Sequence, residues 1–144
     1  MTDMRTDKYI ITETKTNEAA VPFLPHLPAK DVRERVLYLD DEVIQGAFYV
    51  ATSWFWKATG HGPQAHIHDF DEVLAFFGTN PADTHDLGGE VELWIDGEKH
   101  LLTKSFIAYI PKGLIHCPMR VTRVDRPIFH FSTGPKSMYA GDKL

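Results

Sequence analysis

The sequence predicts a single all-β domain built from short antiparallel strands. From about residue 35 onward, short runs rich in β-branched and aromatic residues alternate with turn residues such as Gly, Pro, Asp and Asn. No long amphipathic helix interrupts this pattern, and 144 residues correspond to about one domain. Because 43% of the residues are hydrophobic, the chain can bury a core, and extended disorder is excluded.

Three segments are expected along the chain: an N-terminal arm at residues 1–34, the β domain at 35–135 and a tail at 136–144. Three prolines recur at a three-residue spacing within residues 17–30. Such spacing forbids a continuous helix and suits an extended arm on the surface.

The first candidate strand lies within residues 46–57. Four of its even-numbered residues form a bulky apolar set: Phe48, Val50, Trp54 and Trp56. Charged Lys57 has the other parity, so the even set is assigned to the inner face. Filling the core is one role for these side chains. A second role is to form the aromatic wall of a ligand cavity. On this interpretation Trp54 and Trp56, together with Phe76 on a later strand, bind the substrate.

A meander of strands follows. Residues 90–95 alternate apolar and polar, and Asp96-Gly97 favours the positive φ angles of a two-residue hairpin that returns through residues 99–103. The loop before this hairpin, residues 80–89, is long enough to carry a function. The sequence Pro-Lys-Gly at 111–113 suits a type I turn. Further strands are expected at residues 106–110, 114–121 and 128–132.

Charge and cysteine content exclude several classes of function. The 15 basic residues are scattered and the net charge is −5, so nucleic acid is not an expected partner. The N-terminus carries charges of both signs with no apolar stretch behind them, a pattern that does not fit a secretory signal. Residues 43–56 are too short and too polar to span a bilayer. A cytoplasmic protein is expected. Cys117 is the only cysteine, so no disulfide forms within the chain.

The segment with the clearest chemistry contains His66 and His68. On a strand, both imidazoles point to one face with Cα atoms roughly 6.6 Å apart, which lets two ring nitrogens reach one ion. Glu72 would lie about 20 Å from His66 on an unbroken strand, too far to share a metal. The chain is therefore expected to bend at residues 69–71, so that Glu72 begins an antiparallel partner strand, 72–77, beside the histidines.

The segment from Gly60 to Gly78 resembles the first signature of the cupin family: a Gly, five residues, His-x-His, three or four residues, a Glu and a later Gly. Its last gap is one residue shorter than usual. The second signature is matched by Pro111, Gly113 and His116, whereas Ser105 stands for its leading Gly and Arg120 for its closing Asn. The resemblance covers roughly residues 45–133.

The resemblance implies an antiparallel double-stranded β-helix, the jelly-roll or cupin barrel, with a metal inside. It also implies the metal ligands His66, His68, Glu72 and His116. Three imidazoles and one carboxylate suit several divalent transition metals, among them Fe, Mn, Ni and Zn, and do not choose between them. One such ion per chain is the expected cofactor. Since cupins commonly pair through sheet edges or exchanged arms, a homodimer is also expected.

Other residues near the signatures have two interpretations each. Arg120 shares the parity of His116, so it is expected either to bind a substrate carboxylate at the cavity mouth or to lie solvated at the rim. Glu72 and His130 are both assigned catalytic roles. His130 alternates with two phenylalanines and is expected to face the interior as a base, with core packing as the alternative. Cys117 is expected on the outer face, away from the metal. His61 is expected at the rim.

The leading hypothesis is an enzyme that acts on a small organic molecule at a mononuclear metal centre, with dioxygenase-like chemistry favoured. A metal-dependent isomerase or decarboxylase is the first alternative. The second alternative is a binding or sensor module without catalysis, because fold does not fix function.

Overall fold

A computed structural model describes residues 5–14, 29–135 and 142–143, which form two five-stranded antiparallel sheets. The first sheet contains, in spatial order, β1 (Arg33–Leu39), β2 (Tyr49–Phe55), β9 (Ile128–Gly134), β4 (Glu72–Phe77) and β7 (Phe106–Ile110). The second sheet contains β10 (Asp142–Lys143), β3 (His66–Ile67), β8 (His116–Val124), β5 (Asp86–Ile95) and β6 (Glu98–Lys104). A 3-10 turn at Asp7–Tyr9 precedes them. The predicted all-β class is confirmed.

The two sheets enclose the main hydrophobic core. Its first-sheet members include Phe55, Leu74 and Phe76, and its second-sheet members include Val91 and Leu93. Strand β2 buries alternate residues, as the two-residue period of a β-strand allows, whereas β4 and β5 also bury residues on their second face. The core therefore depends on both sheets, and each faces the other through the domain.

The hairpin between β5 and β6 forms where the sequence predicts it. Asp96 and Gly97 have φ angles of 49° and 78°, the two positive values of a type I′ turn. β5 begins at Asp86, so the loop predicted at residues 80–89 is shorter than expected at its C-terminal end.

The turn between β7 and β8 differs in type from the prediction. The amide of Leu114 donates to the carbonyl of Pro111, which makes Gly113 the third turn residue, and its φ is 81°. A positive φ at that position defines a type II turn, so the predicted type I turn is wrong. Glycine adopts this backbone without steric cost.

The inward face of β2 is the odd-numbered one, opposite to the prediction. Tyr49, Ala51, Ser53 and Phe55 are buried. Even-numbered residues lie outside: the ring of Trp54 stacks on that of Trp56 at 5.3 Å. It also meets the edge of Phe129 at 5.1 Å. The sequence argument failed because bulky apolar residues occupy both faces of this strand, so size does not identify the inner one.

A β-bulge changes the alternation in β8. Leu93 pairs with Met119 but Ile95 pairs with His116, so β8 has one extra residue between those pairs, and Cys117 has a φ of 74°. His116 and Cys117 are both buried as a result. One extra residue exchanges the two faces of a strand beyond it. Cys117 therefore faces inward and not outward as predicted.

The segment after the His-x-His sequence bends as expected, but its partner strands differ from the prediction. β4 has the predicted bounds, Glu72–Phe77. It pairs with β7 and β9 in the first sheet, whereas His66 lies on β3 in the second sheet. Glu72 thus approaches the histidines from the opposite sheet and not as their neighbour in the same one.

The segment boundaries at residues 34/35 and 135/136 stay a prediction. β1 begins at Arg33, and Asp142–Lys143 of the predicted tail pair with β3 as strand β10. The structure does not describe residues 15–28. Most of the predicted proline-rich segment, residues 17–30, therefore lies outside the described residues. Within the described part of the chain, no helix is long and apolar enough to cross a membrane.

Candidate metal centre

Four buried side chains converge between the two sheets: His66, His68, Glu72 and His116, each no more than 3% exposed. The Nε2 atoms of His66 and His68 are 3.2 Å apart. Oε1 of Glu72 lies 3.4 Å from Nε2 of His68 and 3.2 Å from Nε2 of His116. These short separations place three ring nitrogens and one carboxylate oxygen around a common point.

Strand pairing and one turn hold the cluster in place. His66 lies directly opposite His116 in the β3–β8 ladder, and their rings are 4.4 Å apart. The amide of Gly113 donates to the carbonyl of His68 at 2.9 Å. The amide of Lys112 donates to Oδ1 of Asp71 at 2.8 Å. The two signature segments of the sequence are thereby joined by one backbone–backbone and one backbone–side-chain hydrogen bond.

Backbone carbonyls fix the tautomers of two histidines. Nδ1 of His66 lies 2.6 Å from the carbonyl oxygen of Gln64, and Nδ1 of His116 lies 3.0 Å from that of Leu114. A carbonyl oxygen only accepts, so Nδ1 is the protonated nitrogen in both rings. In the neutral imidazole, Nε2 then carries a bare lone pair directed into the cluster, as in metal-ligating histidines.

Aromatic rings support the remaining histidine. Phe70 stacks on His68 with ring centroids 4.7 Å apart, and its edge contacts Tyr49 at 5.8 Å. Gly134 packs against Phe70 so closely that a Cβ added there would lie 2.7 Å from the ring. The position of His68 thus depends on a small packed group of rings.

The electrostatics favour an ionised carboxylate beside neutral imidazoles. Burial alone would raise the pKa of Glu72, but the adjacent imidazoles of His116 and His68 and the hydrogen bond from Tyr49 outweigh that effect and hold the pKa at about 2. Burial, together with the neighbouring His116 and His68, lowers the pKa of His66 to about 4. Metal ligation requires these same protonation states.

The donor set passes a direct test of fit for a divalent metal. Nε2 of His116 is buried and has no aligned hydrogen-bond partner among the described residues, although Oε1 of Glu72 is 3.2 Å away. A buried nitrogen lone pair without a partner is costly unless an electrophile occupies the space before it. His68, Glu72 and His116 form one group whose ligand atoms all lie within 4.8 Å of one another, and His66, His116 and Cys117 form another.

The structure places the predicted substrate residues away from this cluster. Trp54 and Trp56 lie on the outer face of the first sheet. Arg120 also faces outward, where its Nε donates to Glu92 at 2.8 Å. The bulge in β8 accounts for Arg120, because the alternation counted from His116 no longer applies beyond it. Phe76 is fully buried in the core and stacks on Phe106.

His130 is buried, as predicted, but lies farther along the barrel. Its Nδ1 hydrogen-bonds the carbonyl of Ala75 at 2.8 Å, and its ring stacks on that of Phe76 at 4.1 Å. Phe76 is four residues from Glu72 along β4, about 13 Å at the rise of a β-strand. Burial lowers the pKa of His130 to about 3, with Arg33 adding to this effect. These surroundings fit core packing better than the predicted catalytic role. His61 is exposed, as expected.

Tyr49 is the functional residue that sequence reasoning missed. Its hydroxyl donates a hydrogen bond to Oε2 of Glu72, and its side chain is fully buried. Tyr49 was missed because the prediction assigned the odd-numbered residues of β2 to the outer face. A correct assignment of the buried face would have placed its hydroxyl inside the domain.

Comparison with solved structures defines the class of fold. A recombinant oxalate oxidase in complex with glycolate aligns with 92% of this chain at a TM-score of 0.51 and 14% identity, and the match covers 61% of that protein. A cupin-like protein from Thermotoga maritima MSB8 aligns with 78% of this chain at a TM-score of 0.52 and 16% identity, and the match covers 74% of that protein. No protein-family model and no curated protein match the sequence.

At these identities the likeness concerns the fold, and the chain has the cupin fold that the sequence signatures predicted. Within that fold, the buried histidine and glutamate cluster fits a metal-binding cupin.

Proposed function

We propose that this protein is a metal-dependent enzyme that binds one divalent transition metal through His66, His68, Glu72 and His116. Its substrate is a small organic molecule held beside the ion, and dioxygenase-like chemistry is the favoured reaction class. Fe, Mn, Ni and Zn all suit a set of three imidazoles and one carboxylate.

One observation carries the proposal: four buried donors, supplied by strands of both sheets and by the bend after β3, meet at one point. The hydrogen bonds from Nδ1 to backbone carbonyls leave Nε2 of His66 and His116 unprotonated in the neutral rings. Oε1 of Glu72 lies within 3.4 Å of two ring nitrogens. A packed core has no need for such a set, because apolar residues of similar volume avoid its desolvation cost. A divalent cation supplies the compensating charge.

The bound ion would act as a Lewis acid that polarises a substrate oxygen or activates a second substrate such as O₂. The chain's own residues prepare the site for this role. Tyr49 orients the Glu72 carboxylate, the backbone carbonyls fix the two imidazole tautomers, and the stack of Phe70 on His68 excludes water from one side. The oxalate oxidase with a similar fold was solved with glycolate, a small organic acid, which supports oxidative chemistry on a substrate of that size.

Metal analysis of the purified protein tests the proposal. The protein is prepared without chelator or metal-affinity resin, and its metal content is measured by mass spectrometry beside His66→Ala and His116→Ala. The exposed His61 provides the matched control, His61→Ala. We expect close to one equivalent of transition metal per chain in wild type and His61→Ala, and loss of metal in the two site variants.

The identity of the metal directs the next assay. Iron leads to screening of small organic acids for O₂ uptake, whereas Zn, Mn or Ni favours isomerase or decarboxylase chemistry at the same site. An absence of metal in wild type, with added ions binding no better than to His116→Ala, contradicts the proposal.

Substitution of Glu72 separates an enzyme from a binding module. Glu72→Gln keeps the volume of the side chain but removes the anionic ligand, so turnover should be lost while circular dichroism is unchanged. Full activity in this variant refutes the assigned site. Retained ligand binding with no turnover in wild type supports a sensor or carrier.

A further inference from the structure

Cys117 lies beside the metal cluster in a way that the alternation of a regular strand forbids. The bulge in β8 turns both His116 and Cys117 inward, and they are 1% and 6% exposed. A thiol directed only at an apolar core would have no nitrogen ligands near it. Here the ligand atoms of His66, His116 and Cys117 all lie within 4.8 Å of one another.

A second observation points to a ligand at this place. Nε2 of His116 is completely buried and has no aligned hydrogen-bond partner among the described residues, and His116 is a member of both groups of candidate ligands. Oε1 of Glu72 lies 3.2 Å from this nitrogen, and the Cys117 sulfur lies within 4.8 Å of a ring nitrogen of His116. An ion bound to His116 therefore has two directions in which to complete its ligand set.

We propose, building on the metal centre proposed above, that Cys117 is a thiolate ligand, so that the centre offers two overlapping metal positions that share His66 and His116. In the first position the other ligands are His68 and Glu72, which complete a set of nitrogen and oxygen donors. In the second the other ligand is Cys117, which completes a set of nitrogen and sulfur donors.

The distances are compatible with this second position. Zn–S bonds are about 2.3 Å and Zn–N bonds about 2.0–2.1 Å, so two such donors on one ion are separated by at most about 4.4 Å. The three ligand atoms lie within 4.8 Å of one another in the structure, so side-chain movements of about 1 Å or less bring them to bonding distances. As the S–metal bond forms, the thiol proton leaves to solvent.

The chemistry of the two donor sets differs in a way that can be measured. Thiolate ligands favour soft or borderline ions such as Zn²⁺, whereas carboxylate suits Mn²⁺. Loss of the sulfur should weaken binding of a soft ion and leave Mn²⁺ affinity nearly unchanged. A substitution that only loosened the fold would weaken both.

Cobalt substitution provides the direct test. Metal-free wild type and Cys117→Ser are titrated with Co²⁺, and visible d–d bands report binding while a near-ultraviolet thiolate-to-cobalt band reports sulfur ligation. We expect both signals at one equivalent in wild type and only the d–d bands in Cys117→Ser. We also expect at least tenfold weaker Cd²⁺ binding in the variant, with Mn²⁺ affinity within twofold of wild type.

A measurement on wild type alone keeps the test independent of the variant's folding. X-ray absorption of the Zn²⁺-loaded protein should contain a Zn–S shell at about 2.3 Å. Visible d–d bands without the near-ultraviolet band, and a zinc spectrum with only N and O scatterers, overturn the role of Cys117 while the metal centre stands. Absence of any cobalt signal overturns the metal centre itself, and the thiolate ligand with it.

Discussion

The hydroxyl of Tyr49 donates a hydrogen bond to Oε2 of Glu72, which leaves Oε1 of the same carboxylate facing Nε2 of His68 and of His116. Tyr49 lies on β2 and Glu72 on β4, with β9 between them in the first sheet. One carboxylate oxygen is thus held by the protein and the other is directed at the candidate metal position. Partners of this kind orient metal ligands and set their affinity.

Removal of this hydroxyl should weaken metal binding without unfolding the protein. Tyr49→Phe keeps the ring that contacts Phe70 and loses only the hydrogen bond to Glu72. We expect Co²⁺ affinity to fall by about tenfold to a hundredfold, the usual effect of losing such a partner. Equilibrium titration against a competing chelator measures it. Tyr9→Phe, on an exposed residue, should leave the affinity unchanged. Equal affinities in the two variants contradict this role of Tyr49.

The metal-free protein should lose stability on mild acidification, in part because of His130. Its pKa of about 3 lies below the ordinary value of 6.5, since burial opposes the charged form. Between pH 6.5 and about 4.5 the unfolded chain gains a proton there that the folded chain does not, so the free energy of unfolding falls as pH falls. His66, with a pKa of about 4, acts in the same direction. Glu72 adds to the loss only below its ordinary value of 4.5.

The contribution of His130 is separable by substitution. His130→Gln retains a group able to hydrogen-bond the carbonyl of Ala75 but has no proton to gain. The slope of unfolding free energy against pH, measured by urea denaturation between pH 6.5 and 4.5, should become shallower by up to about 1.4 kcal/mol per pH unit. Identical slopes in wild type and variant would show that His130 takes up its proton equally in the folded and unfolded states.

The hydroxyl of Ser53 should lower the free energy of unfolding. Ser53 is fully buried, and its Oγ has no hydrogen-bond partner among the described residues. An unsatisfied buried polar group costs about 1–3 kcal/mol, so Ser53→Ala is expected to raise the free energy of unfolding by about 1 kcal/mol. Thr59→Val is the contrasting variant. Its hydroxyl accepts from the amide of Val121 at 2.9 Å, and its loss should destabilise the protein. A clear loss of stability in Ser53→Ala would indicate a bound partner at that hydroxyl.

A methyl group at position 134 should disturb the candidate metal cluster by displacing the Phe70 ring that packs on His68. Its Cβ would lie 2.7 and 2.8 Å from two carbons of the Phe70 ring, which stacks on His68. Overpacking of this kind typically costs about 1–3 kcal/mol, and we expect Gly134→Ala to lower both the thermal midpoint and Co²⁺ affinity. Gly60→Ala meets no atom within 4 Å and serves as the control. Unchanged cobalt affinity in Gly134→Ala would mean that Phe70 does not position His68.

Features encoded over short stretches of sequence were predictable. The spacing of His66, His68 and Glu72 and the turn before His116 identified four residues that the structure brings together. The Asp96-Gly97 hairpin followed from the backbone preferences of its own two residues. These features depend on local chemistry, which a single sequence contains.

Features that depend on register or on distant strands were not predictable. The extra residue near Cys117 exchanges the two faces of β8 as far as Val121, where a second irregularity follows, and Pro118 in the strand signals a bulge without fixing which residue is extra. On β2, aromatic rings outside the barrel stack on one another, so hydrophobicity does not distinguish the buried face. The pairing of β4 with β9 joins residues more than fifty positions apart, which local patterns do not specify.

The candidate ligands are divided between the two sheets: Glu72 is on β4 in the first, whereas His66 and His116 are on β3 and β8 in the second. A single ion would therefore act as a reversible cross-link through the middle of the domain, in a chain with no disulfide to do so. Its binding free energy would become free energy of sheet association. Above the dissociation constant, each tenfold rise in free metal would add about 1.4 kcal/mol to stability. Resistance of the protein to heat and proteolysis would then report the free metal concentration around it.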